Sequence, residues 1–249
     1  MSSMIGVEFI KFRRSWMVWL IGIVPFAFCT LLGLALRFYL QTNHTPEQGW
    51  GLIFTLVSRF LWQVIAFTVP IFTSYLVSME QLSNTWKQIF VIPLAKWKVY
   101  LAKFFWALIF TLVMGILFVL GVYFICLFWD IEHLFTINQL IFRVYSPFML
   151  AIPYISFQLW ISMVSRNQTT PIAIGIAAII LAPVFKNWGW WTPWGFWSTF
   201  LPAEPTSYQA LFMEKTTSAL DGSSLLLSVL FGAISLAIGV VHFYQKEFN

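Results

Sequence analysis

Residue types that could do chemistry are scarce in this sequence, and most of them crowd one place. From Glu80 to Lys103 the chain reads EQLSNTWKQIFVIPLAKWKVYLAK, with four lysines (Lys87, Lys96, Lys98, Lys103) and one acid, Glu80. Such a set supplies ion pairs and headgroup contacts; it is neither a general acid–base pair nor a metal site. His44, His133 and His242 are scattered and lack metal-ligand spacing. Cys29 and Cys126 lie inside apolar runs and read as small buried hydrophobes, not as a disulfide framework. No Gly-x₄-Gly-Lys-Ser/Thr run occurs, so nothing resembles a phosphate-cradling loop. The acids Asp130, Glu132, Glu204 and Glu214 form no catalytic or metal-binding pattern and read as solvated loop charge. The sequence therefore predicts no catalytic residue, no cofactor and no metal in this chain.

The elements that position the polar interval follow from composition. Of 249 residues, 60% are hydrophobic and 9% charged, against about 25% charged in a soluble domain. Lipid must cover much of the surface. Uncharged apolar runs at 16–36, 60–79, 104–129, 144–165, 172–185 and 224–244 predict six crossings, each near the ~20 residues a helix needs. The fifth is short and is extended by the uncharged residues from Asn167. Residues 37–51 and 130–143 read as loops. The predicted fold is an all-α integral membrane protein with six transmembrane helices, a single domain over 1–249. An N-terminal interfacial helix is predicted at 1–15, where Ile5, Phe9, Phe12 and Trp16 mark an apolar face and Glu8, Lys11 and Ser15 fall on another.

With six crossings both termini share one side. Placing them in the cytoplasm puts nine bases inside (Lys11, Arg13, Arg14, Lys87, Lys96, Lys98, Lys103, Arg166, Lys246) and five outside (Arg37, Arg59, Arg143, Lys186, Lys215). The excess of positive charge inside favours this orientation, and the net charge of +5 then reports topology and lipid contact, with no nucleic-acid partner expected. Residues 80–98 become a cytoplasmic loop between spans two and three. Leu82, Trp86, Ile89 and Phe90 mark one helical face there, and Pro93 ends the helix. A helix parallel to the membrane and tied to two spans suits the transmission of a push; the alternative is a passive interfacial loop.

Residues 186–223, between spans five and six, hold Trp188, Trp190, Trp191, Trp194 and Trp197, interrupted by prolines. Tryptophan concentrates at headgroup level, so this stretch reads as a broken segment in the outer interface. It is either an aromatic belt or a binding surface for an amphipathic substrate. Acids and histidines are missing from deep within the predicted spans, so no relay for an ion gradient is expected; energy for any active transport should come from another subunit.

The layout and the run E-x₅-W-x₆-P-x₆-Y-x₂-K, here Glu80, Trp86, Pro93, Tyr100 and Lys103, resemble ABC-2 type permease subunits. The nearest likeness is to the small permeases of bacteriocin and lantibiotic immunity and of bacitracin-type export. The resemblance implies a cytoplasmic ABC ATPase dimer, carrying ATP and Mg, docked on the 80–98 loop. Glu80, Trp86, Lys87, Pro93, Tyr100 and Lys103 are then candidates for coupling. It also implies a second permease subunit, membrane lipids as partners, and a multi-pass location in a bacterial cytoplasmic membrane. The expected function is ATP-driven export of an amphipathic antimicrobial peptide in self-protection or antibiotic resistance. The alternatives are export of a lipid, glycan or small drug, or a non-transporting sensor or scaffold.

Overall fold

The computed structural model describes residues 2–13, 15–41, 46–82, 96–130, 136–165, 167–185 and 222–245. They form eight helices: α1 (Ser2–Arg13), α2 (Met17–Gln41), α3 (Pro46–Leu82), α4 (Lys96–Phe128), α5 (Ile137–Leu150), α6 (Ile152–Val164), α7 (Thr169–Phe185) and α8 (Gly222–Gln245). No strand occurs among the described residues. Five segments are long and apolar enough to cross a membrane: Met17–Gln41, Ile53–Glu80, Trp97–Phe128, Ile137–Val164 and Leu226–Gln245. Large side chains such as Trp19, Phe26, Phe38, Phe128 and Ile180 are exposed on the outside of the bundle, as expected where lipid is the solvent. Helix α7 has 17 residues, fewer than the ~20 of a full crossing.

Helix α3 and the α5–α6 pair are the most buried of these segments. Helix α6 packs against α3 and α8, α7 packs on α3, and α2 packs on α4. The loops expected at 37–51 and 130–143 are shorter than their polarity suggested. Helix α2 runs on to Gln41, α3 starts at Pro46, and α5 begins at Ile137. Arg143 therefore sits inside α5, with its guanidinium 3.8 Å from the centroid of the Phe54 ring, a cation–π contact that accommodates its charge.

The fourth apolar run, expected as one helix, is broken at Ala151. Pro153 lies in the first turn of α6, where its missing N–H costs nothing but cannot continue α5. The break frees backbone acceptors, and Ser228 of α8 donates to the carbonyl of Leu150 at 3.3 Å. Pro70 inside α3 leaves the carbonyl of Ala66 without its helical donor. The Tyr154 hydroxyl donates to that carbonyl at 3.0 Å. Helix α7 comes close at the same place, where a Cβ on Gly175 would collide with the Pro70 ring. Hydrogen bonds from Gln158 to the Pro171 carbonyl (2.5 Å) and from Ser162 to Thr73 (3.3 Å) tie α6 to α7 and α3. Such interhelical bonds hold membrane bundles where no hydrophobic force acts between helices.

Candidate functional site

The polar centre of the bundle is built from α1 and the facing ends of α3 and α4. Lys103, in the second turn of α4, is completely buried. Its ammonium lies 3.1 Å from Glu80 Oε1 and 3.5 Å from Glu8 Oε1, and it donates to the Leu76 carbonyl at 2.6 Å. An ammonium has three N–H donors, and these three oxygens match them. Lys11, about one third exposed, approaches the same carboxylates, at 3.4 Å from Glu80 Oε1 and 3.7 Å from Glu8 Oε1. Two carboxylates and two ammonium groups make the cluster neutral. That neutrality makes burial tolerable, since an isolated buried ion costs several kcal/mol even after relaxation.

The local sequence explains how α1 reaches this site. Glu8 and Lys11 are three residues apart and share a helical face. Phe12, on the next turn, is buried against Trp106 and Phe110, with ring centroids 5.8 and 5.0 Å away. Ser15 accepts from the Met17 N–H at 3.1 Å, capping the start of α2, and donates to the Tyr75 hydroxyl at 2.7 Å. Glu8 and Ser15, expected to look away from the apolar face, are thus turned to the protein together with Phe12 of that face. Phe9 and Trp16 are the half-exposed residues. Packing of Phe12 on Trp106 and Phe110 seats this turn of α1, and the Lys103 ammonium supplies the countercharge for Glu8 inside the protein.

Burial pushes the Glu8 carboxyl above the ordinary carboxylate range; Lys103 opposes the shift and the neighbouring Glu80 carboxylate adds to it. Among the described residues no group of three or more His, Cys, Asp and Glu side chains is placed to hold a metal ion. What the arrangement can do is hold three segments together by charge: an N-terminal helix and the two helices that flank residues 83–95.

Of the residues singled out in the sequence, Glu80 and Lys103 meet directly. Tyr100 is buried one turn away on α4, but it faces α8, in ring contact with Phe243 at 5.9 Å. Its hydroxyl fits only because position 239 is glycine; a Cβ there would overlap it. Trp86, Lys87 and Pro93, and the five tryptophans Trp188, Trp190, Trp191, Trp194 and Trp197, lie outside the described residues. Sequence reasoning missed Glu8 and Lys11 as members of the site. The available signal was that Glu8 is the one acid in an otherwise basic N-terminal segment.

A family model described as ABC-2 family transporter protein matches residues 4–182. The chain belongs to that family. No curated protein matches it significantly. The matched ABC-2 region spans α1 to most of α7 and takes in all four charged residues of the cluster. Membership makes the chain a membrane transport subunit of the ABC type, and its long apolar helices agree with that.

Proposed function

We propose that this ABC-2 subunit is the permease of an exporter whose energy arrives from a separate cytoplasmic ABC ATPase dimer through the 80–98 loop. The observation that carries the proposal is the buried cluster of Lys103, Glu80, Glu8 and Lys11. It joins α1 to the two helices from which that loop emerges, so a displacement of the loop moves all three as one body. In this reading the positive-inside count puts the loop and both termini in the cytoplasm of a bacterial cell. Helix α7, lengthened by its flanking residues, supplies a sixth crossing. Trp86 and Lys87 make the contact with the ATPase, while Glu80, Tyr100 and Lys103 transmit it from within. A second permease, identical or homologous, completes the pore.

The cargo in this proposal is an amphipathic antimicrobial peptide taken from the membrane, with the tryptophans of 186–223 receiving it. Purification of the chain with its ATPase, followed by ATPase measurements across a bacteriocin panel, tests the reading. Stimulation by one of the peptides is expected. Stimulation by a lipid, glycan or drug instead would sink the peptide assignment and keep the exporter. A chain that recovers no ATPase would favour a sensor or scaffold. The Trp86→Ala variant should assemble poorly, and unchanged assembly would remove the loop from the coupling role.

A further inference from the structure

Helix α2 carries one charged residue, Arg37, exposed near its end. No ion pair or hydrogen bond joins the Arg37 side chain to any described residue. Arg37 stands at one end of an apolar groove of about 490 Å³ between α2 and α4. The groove exists because residues on its floor are small. A Cβ on Gly121 would collide with the Cys29 sulfur, and one on Gly33 would meet only Ile125 Cγ1, at 4.0 Å. Phe26, Phe124 and Phe128 line the groove above this floor and are exposed or lipid-facing.

The two contacts Cys29–Gly121 and Gly33–Ile125 share one register, and extending it by four residues sets Arg37 level with Trp129, the last groove residue of α4. An arginine and a tryptophan at one depth are the usual markers of the headgroup layer. The eleven steps from Phe26 to Arg37 span about 16 Å at ~1.5 Å per residue. One leaflet of a ~30 Å hydrocarbon core is about 15 Å deep. The groove is therefore one leaflet long, apolar apart from Thr30, whose hydroxyl bonds back to the Ala27 carbonyl, and closed at the headgroup end by a cation.

We propose that the groove between α2 and α4 is a binding site for an anionic glycerophospholipid, with its phosphate on Arg37 and one acyl chain between the phenylalanines. It lies in the leaflet away from the Lys103 cluster. The proposal needs only that the chain is membrane-embedded and is independent of the cargo and of the coupling role. A cationic peptide is disfavoured there by the charge of Arg37.

The test reconstitutes the full chain in vesicles of equimolar phosphatidylcholine and phosphatidylglycerol, extracts it in mild detergent and reads retained lipid by native mass spectrometry. The wild type should retain phosphatidylglycerol in excess over phosphatidylcholine. Arg37→Gln should cut that excess about fivefold, the scale of one exposed ion pair, and Arg37→Lys should keep part of it. Gly33→Leu, which fills the floor where there is room, should lower retention of both lipids with little change in thermal midpoint. A wild-type ratio equal to that of the vesicle, an excess that survives Arg37→Gln, or lipid-free dimers that close the groove with a second copy would each overturn the proposal.

Discussion

Lys103 and Glu80 stand 3.1 Å apart with both side chains shut inside the protein. Their burial makes the pair unequal to a surface ion pair in its response to mutation. Lys103→Met would leave Glu8 and Glu80 as buried carboxylates with only the half-open Lys11 beside them. The expected loss is about 3–5 kcal/mol, the range for removing one partner of a buried pair. Lys103→Met/Glu80→Gln/Glu8→Gln, which removes the opposing charges together, should recover part of it. Thermal unfolding in detergent measures both, and a triple variant no more stable than the single would contradict the account.

Glu8 gives the cluster a pH dependence of defined sign. Its carboxyl is held above its ordinary value of 4.5, by burial first. The folded state therefore binds this proton more tightly than the unfolded chain does. Its contribution to stability is complete below 4.5 and is lost as pH rises through the folded value. Glu8→Gln stays neutral throughout, so its thermal midpoint relative to wild type should rise as pH increases from the acid side. Parallel curves for the two proteins would refute this.

Tyr154 repairs what Pro70 breaks. Tyr154→Phe leaves the buried Ala66 carbonyl without the donor that replaces the missing proline N–H, at a cost of about 1–3 kcal/mol. Pro70→Ala restores an N–H at that position. The Tyr154→Phe penalty should therefore be smaller in the Pro70→Ala background, and a double-mutant cycle reads the difference. An additive result would argue against the exchange of donors.

Tyr100 separates packing from coupling. Its buried hydroxyl has no hydrogen-bond partner among the described residues, so Tyr100→Phe should leave stability unchanged or raise it slightly. Gly239→Ala should destabilise, because its methyl enters the space of that hydroxyl, and Tyr100→Phe should relieve part of the loss. If Tyr100→Phe folds normally yet uncouples ATPase stimulation, the hydroxyl acts in transmission; retained stimulation confines Tyr100 to packing.

The membrane class and the approximate position of the long helices were legible because a bilayer demands long uncharged runs, and such runs need no tertiary knowledge to find. The break at Ala151 was not: membrane helices tolerate proline, so 144–165 read as one crossing, and only the packing of α8 and Ser228 shows how a break is satisfied. Glu80 and Lys103 stood out as residue types, yet they read as the ends of an exposed interval. Whether a charge is buried depends on which helix brings its counterion, and Glu8 lies 95 positions from Lys103. Periodicity placed Glu8 opposite an apolar face; it could not tell whether lipid or protein would meet that face. The register of α2 on α4, and hence the groove ending at Arg37, is likewise a property of two helices together.

The ion cluster also imposes an order on synthesis. Glu8 leaves the ribosome first, and its partner Lys103 follows 95 residues later, about 5–20 seconds at ~5–20 residues per second. Through that interval the N-terminal helix has its own Lys11 but not the ammonium that takes Glu8 inward, and Glu80 waits for the same group. The first helix to be made thus cannot be fully seated until the fourth has emerged. Its docking reports that α3 and α4 have both arrived in the correct relative depth.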